Sequence, residues 1–259
     1  PTMDHRWITP TPLYVPGPPD RVAAGDLHVW KLRMRIGGRP FWICHSFEGY
    51  YDRFLTAHPD WFAQGYPNKP PQMCYTNPKL IEQVVRDARD YFDGKGARSG
   101  ASAKGDVFGL VPMDNASWCK CDRCQSELDA SEVGNRQFNN GKGSDYIFRF
   151  ANRVAAEVRR THPEKWIGAL AYSDYAYHPD GVELEPNLVV QLCLHTRNWW
   201  CPSMEANDRK VLWDWRREEP ARPIYLWLYY NFPALNATFG DFHYFPGYFA
   251  HTAARQMAL

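Results

Sequence analysis

Short apolar runs alternate along the chain with longer stretches in which apolar residues recur every three to four positions, the pattern of buried strands interleaved with amphipathic helices. The runs predict strands at Phe41-Trp42-Ile43-Cys44, Met73-Cys74-Tyr75, Asp106 to Met113, Ile167 to Tyr172, Leu188 to Leu194 and Ile224 to Tyr229. Gly109 and Pro112 weaken the third, because proline withholds a ladder donor and glycine has no side chain to pack. Helices are predicted from Tyr50 to Ala57, after Asn77-Pro78, after Ser144-Asp145, from Arg209 to Arg217 and from Tyr248 to Met257. Asn77 reads as an N-cap with Pro78 at the first helical position, followed by the apolar stripe Leu80, Ile81, Val84, Val85 and Ala88. Ile147, Ala151, Val154, Ala155 and Val158 form the equivalent stripe after Ser144. The stretch Gly94 to Gly105 reads as a loop. Residues 1–40 carry Pro10, Pro12, Pro16, Pro18 and Pro19 and read as an extended lead-in, since proline suits neither a helix interior nor a central strand.

Strands separated by helices predict an α/β fold with a parallel sheet. Six units are visible, whereas a closed barrel takes eight. The expectation for residues 41–259 is therefore a (β/α)8 TIM-barrel-like domain, incomplete on its C-terminal side. An open doubly wound sheet is the alternative, but no glycine-rich phosphate loop follows any strand, which disfavours its nucleotide-binding form. The chain opens at Pro1 without a charged segment leading into an apolar one, so a removed leader or an excerpt of a longer protein is expected, and the missing units favour the excerpt.

Composition narrows the partners. Thirty basic residues against twenty-nine acidic ones give +1, which provides no global field for nucleic acid or an anionic membrane. No apolar run reaches the roughly 20 residues of a membrane-spanning helix. Eleven Trp, fifteen Tyr and fourteen Phe are more rings than a core needs, and flat rings stack on sugar faces. In a barrel the active site forms at the carboxyl ends of the strands. Those positions read His45-Ser46-Phe47, Tyr75-Thr76-Asn77, Asp114-Asn115, Tyr172-Ser173-Asp174-Tyr175, His195-Thr196 and Tyr230-Asn231. Amides, phenols and imidazoles beside rings suit a neutral, polyhydroxylated ligand. His45, Tyr75, Trp118, Tyr172, His195, Tyr230 and Asn231 are the expected substrate-binding residues, and part of the aromatic stretch from Tyr225 to Tyr248 is a candidate stacking platform.

Asp114 is the sharpest candidate for chemistry, because a desolvated carboxyl at a strand end can protonate a leaving oxygen. Its candidate partner carboxylates are Asp174 and Glu48; paired carboxylates of retaining glycosidases stand about 5–5.5 Å apart. Just beyond it, Cys119, Cys121 and Cys124 have the spacing of a structural zinc knuckle. The fourth ligand would come from Cys201, Cys193, Cys74 or a histidine, with Cys201 the leading choice. Disulfides or plain thiols are the alternatives, and seven cysteines leave at least one unpaired. No catalytic cofactor is expected.

Several segments occur in an order that resembles a known family: His45-Ser46-Phe47, His58-Pro59-Asp60-Trp61-Phe62-Ala63, Asn77-Pro78, and Met113-Asp114-Asn115-Ala116-Ser117-Trp118-Cys119 with Cys121 and Cys124. Ser144-Asp145, Phe150-Ala151-Asn152-Arg153-Val154-Ala155, Leu170-Ala171-Tyr172 and Pro186-Asn187-Leu188-Val189-Val190 continue the series. It resembles a bacterial domain long catalogued as of unknown function, whose characterised relatives are endo-β-N-acetylglucosaminidases that cut complex N-glycans. The resemblance spans roughly residues 40–259. It implies a glycoside hydrolase-like barrel in an exported bacterial protein (secreted, periplasmic or at the cell surface) that acts on glycans or glycoproteins. It also implies substrate assistance, with the 2-acetamido oxygen as nucleophile. Asp114 matches the family's Asp. Related chitobiase-type enzymes carry an Asp-Glu pair where this chain has Asp114-Asn115, so Asn115 is a candidate to orient the acetamide and Asp174 a candidate second carboxylate. A carbohydrate-binding barrel without turnover is the alternative function.

Overall fold

The computed structural model describes residues 41–98, 100–132, 135–229 and 250–258; the proline-rich lead-in, Tyr230 and Asn231 lie outside them. Among the described residues the chain is mixed α/β, built on one curled five-stranded sheet in the order β1-β2-β3-β4-β5. The strands are β1 (Ala103–Lys104), β2 (Val107–Gly109), β3 (Trp166–Ala171), β4 (Leu188–Leu194) and β5 (Ile224–Leu228). β1 runs antiparallel to β2, and β2 through β5 are mutually parallel. β3 and β4 are near-continuous apolar runs because helices or chain cover both of their faces. β5 at the edge is only half-buried, with Leu226 44 % exposed.

The helices are α1 (Glu48–Phe54), α2 (Pro78–Asp90), the single turn α3 (Asp122–Gln125), α4 (Ser144–Arg159), α5 (Pro202–Glu218) and α6 (Ala250–Met257). α2 starts where Asn77 predicts, the Asn77 Oδ1 accepting the N–H of Lys79 at 2.9 Å and of Leu80 at 3.3 Å. Its buried stripe packs on α4, whose Ile147, Ala151, Val154, Ala155 and Val158 are fully buried. Asp87, buried on α2, is satisfied by both Nη atoms of Arg53 at 2.6 and 2.9 Å, by Tyr50 O–H at 2.7 Å and by Gln83 at 2.8 Å.

Three predicted elements come out differently. Phe41–Cys44 is not part of a ladder; only one parallel bridge forms, His45 to Val111. The reason is that β1, inside the predicted loop 94–105, occupies the edge of β2 that this segment would need. The segment lies against the sheet face instead. Phe41 stacks on Tyr225 at 3.8 Å, and Ile43 fills the space over Gly168, where an added Cβ would stand 2.7 Å from Ile43 Cγ2. Met73-Cys74-Tyr75 likewise forms no parallel strand, Met73 making an isolated antiparallel bridge to Phe62. α5 begins at Pro202 rather than Arg209, because the buried side of its first turns is polar (Asn207, Asp208) and leaves no apolar periodicity to read. No helix of the described residues is long and apolar enough to cross a membrane.

Candidate functional site

Parallel strands bring their carboxyl ends to one side, and four of the predicted residues meet there. The chain beyond β2 delivers Asp114, with its side chain 63 % exposed. Tyr172, directly after β3, donates its O–H to Asp114 Oδ1 at 3.0 Å. His45 is fixed by Nδ1, which donates to the Pro112 carbonyl at 2.5 Å, so Nε2 is the nitrogen that faces Asp114 Oδ2 at 3.8 Å. That gap is too long for a direct hydrogen bond. Tyr229, following β5, hydrogen-bonds Tyr172 and stacks on His195 at 4.8 Å and 13°. Burial, then the Asp114 charge, pushes the Tyr172 phenol well above its usual range; burial does the same to Tyr229. Both therefore remain hydroxyl donors.

Beside Asp114 lies a cavity of about 190 Å³. It is lined by Asp114, Tyr172, Ser173 and Phe138 and by parts of Trp118 and Tyr175. Drug-sized sites run to roughly 300–1,000 Å³, so this one suits a single ring-sized group. Phe138, 43 % exposed, contacts Tyr172 edge-on at 5.5 Å and His195 at 4.6 Å. The sequence reading missed it, since a lone ring between Gln137 and Asn139 carries no periodic signal. A larger cavity, about 710 Å³, opens instead between the 126–132 loop, α4 and α5. Its basic side chains are all paired, Arg149 with Glu127 and Asp145, and Lys210 and Arg217 with Asp214, and it holds none of the predicted site residues.

Several predicted roles need correction. Tyr75 is 1 % exposed and gives its hydroxyl to Gln72 Oε1 at 2.9 Å, so it belongs to the core, not to the cleft. Trp118 borders the cavity but is 4 % exposed, edge-packed on Tyr75, Tyr146 and Tyr175. Asp174 accepts Asn140 Nδ2 at 3.0 Å and Trp118 Nε1 at 3.3 Å, and it is not among the residues lining the cavity; its carboxylate fastens loops. Asn115 borders the cavity, but its Oδ1 accepts Ser117 N–H at 3.0 Å and its Nδ2 donates to the Pro71 carbonyl at 3.0 Å, so the amide builds its own turn. Glu48 starts α1, as an acidic first-turn residue complementing the helix dipole. Tyr230 and Asn231 fall outside the described residues.

Two buried polar hubs hold the cleft, and neither was visible in the sequence pattern. Gln72, 0 % exposed, donates to the carbonyls of Met113 and Asn115 at 2.7 Å each and accepts Met113 N–H at 3.1 Å, clamping both neighbours of Asp114. On the other side Asp208, 1 % exposed, accepts His195 N–H at 2.5 Å, Trp199 Nε1 at 2.8 Å and Asn139 Nδ2 at 3.2 Å. Asn139 Oδ1 in turn accepts Ser173 N–H at 3.1 Å. Ser173 has φ 52°, a left-handed conformation that a non-glycine residue holds only under such constraint.

The cysteines gather next to this loop. The fourth thiol beside Cys119, Cys121 and Cys124 is Cys74, all four sulfurs lying within 4.8 Å of one another. Cys201, the predicted partner, sits instead at the N-cap of α5 with Sγ 3.3 Å from Ser203 Oγ. Cys74 is carried in by the Phe62–Met73 bridge and its own N–H bond to the Trp61 carbonyl at 2.8 Å. Cys124 is the favoured thiolate, its pKa lowered by hydrogen bonds from Cys119, Cys74, Thr76 and Tyr146. By the same bonds the Cys119 thiol is pushed up to about 11 and Cys74 higher still.

No curated protein and no solved structure matches the chain. One family does match, over residues 28–254, and it is described as Domain of unknown function (DUF4838). With most of its length inside that match, the chain belongs to the DUF4838 family.

Proposed function

We propose that the chain is part of a (β/α)8-barrel glycoside hydrolase that cuts N-acetylglucosamine-containing glycans in an endo fashion, with Asp114 as the proton donor. The resemblance described above motivates the substrate class, and with it an exported bacterial protein acting on glycans or glycoproteins. The observation that carries the reading is Asp114 itself, at the carboxyl side of the parallel strands, bonded by Tyr172 at 3.0 Å and faced by His45 at 3.8 Å. A sugar seated over the cavity removes water from this exposed carboxyl, the condition under which a carboxylic acid donates a proton. The 2-acetamido carbonyl oxygen attacks the anomeric carbon, and the glycosidic C–O bond breaks. The leaving oxygen takes its proton from Asp114. Water then opens the cyclic intermediate, returning one proton to Asp114 and completing hydrolysis. Asn115 and Asp174 are committed to loop structure, so Tyr172, whose O–H is held by Asp114, is the cavity group whose oxygen accepts the acetamide N–H and orients it.

The full-length Asp114→Asn protein should bind N-glycoprotein and release roughly 10²–10⁴-fold less oligosaccharide by mass spectrometry. Unchanged release would remove the assignment. A second reading, a sugar-binding barrel without turnover, draws on the fact that Asp114 is the one carboxylate among the cavity's described lining residues. Binding across a glycan panel with no product from the unmutated protein would favour it.

A further inference from the structure

We propose that Cys74, Cys119, Cys121 and Cys124 hold a structural Zn²⁺ ion in a closed tetrahedral site, and that this ion fastens the loop carrying Asp114 and Trp118. The metal-binding part is independent of the glycosidase reading. A tetrahedron of thiolates around zinc at 2.3 Å has edges of about 3.8 Å. Cys74 Sγ lies 3.6 Å from Cys124 Sγ and 3.9 Å from Cys121 Sγ, with every pair within 4.8 Å. A disulfide would draw two sulfurs together to about 2.05 Å and leave the others apart, whereas here all seven described cysteines are free and four are clustered.

The surroundings are arranged for sulfur anions. Tyr146 O–H points to Cys124 Sγ at 3.0 Å, Thr76 Oγ1 stands 3.1 Å from the same sulfur, and Gln64 N–H donates to Cys119 Sγ at 3.3 Å. A neutral thiol is a weak acceptor, so buried donors aimed at sulfur are well matched only when the sulfur carries charge. Such outer bonds orient metal thiolates. Cys74, Cys119 and Cys124 are all 0 % exposed, and four protein ligands leave no open position, which is the structural rather than the catalytic form of a zinc site. On binding, each thiol gives its proton to solvent and a lone pair to the ion. The ion ties three pieces that are weak alone: the segment after the Phe62–Met73 bridge, the irregular loop 113–121, and α3, a single helical turn without a side-chain cap. Cys119 directly follows Trp118, and Cys74 stands two positions from Gln72, which clamps Asp114.

The test uses the whole chain, purified without metal-affinity steps. Elemental analysis should find one zinc per chain, and cobalt substitution should give the visible absorption and thiolate-to-metal charge transfer of a tetrahedral S4 site. Cys201→Ser should keep the metal and Cys74→Ser should lose it. Since Cys74→Ser can also fail to fold, Tyr146→Phe provides the milder probe, with zinc affinity falling about 10–100-fold. Hydrogen exchange should accelerate in residues 113–121 on chelation, while the interior of α4 stays protected. Absence of metal, iron in its place, or a mass deficit showing disulfides among these cysteines would overturn the zinc site. Equal exchange with and without metal would overturn the fastening role.

Discussion

The two walls of the cleft are built by different chemistry. On the Asp114 side the backbone is irregular from Leu110 to Cys121, and it is held by Gln72 and by a cluster of sulfurs. On the His195 side the residue follows directly from a seven-residue strand, and the loops around it hang on the buried carboxylate of Asp208 and the amides of Asn139 and Asn140. The first wall is stapled at points far apart in sequence; the second is cross-bonded within one polar network. A wall of the first kind depends on few, strong ties, whereas a network shares its load among several amide hydrogen bonds and the carboxylates of Asp208 and Asp174. The catalytic candidate sits on the first wall. The aromatic stack that shapes the mouth, Phe138, His195 and Tyr229, sits on the second.

The contrast can be broken from the network side first. Asp208→Ala strands the donors of His195, Trp199 and Asn139 in the interior and should cost about 3–5 kcal/mol, read as a lower midpoint in urea unfolding. An unchanged midpoint would show that the second wall does not depend on this carboxylate. Next in size, Gln72→Ala leaves the carbonyls of Met113 and Asn115 unpaired and should cost about 2–3 kcal/mol, with faster exchange confined to residues 113–117. Exchange that rises equally around His195 would mean the walls are coupled rather than separate. Tyr172→Phe bridges the two, deleting the bond to Asp114 and that to Tyr229. Loss of a hydrogen bond to a charged group is worth about 1.5–3 kcal/mol, so turnover should fall roughly 10–150-fold while the melting temperature moves little. Smallest is Asn77→Ala at the α2 N-cap, about 1 kcal/mol of stability with no change in the cleft.

The legible parts of this protein share a trait. α2 and α4 announce themselves by caps and a repeating apolar stripe, and β3 and β4 by apolar runs; each signal is contained within the element. Tyr172 and His195 were legible because each directly follows a parallel strand that sets its location, whereas His45 and Asp114 reach the same side through the single His45–Val111 bridge and the Gln72 clamp. Reading failed where the decisive neighbour is remote. Tyr75 has the position of a strand-end residue, yet the bridge to Phe62 turns its segment into the core. The start of α5 was hidden because its buried face is Asn207 and Asp208, which look like surface until Asn139 and His195 are brought against them.

What the sequence determined by itself is the helices α2 and α4, the strands β3 and β4, the α/β class and the placing of an imidazole (His195) and a phenol (Tyr172) at strand ends, because these follow from periodicity and residue type within a few turns of chain. Tertiary structure alone decided that β1 takes the edge meant for Phe41–Cys44, that Cys74 and not Cys201 joins the thiol cluster, and that Asn115 and Asp174 spend their polar atoms on loops. Those outcomes depend on which distant groups compete for one partner, and that competition is settled only by the closing of loops in space.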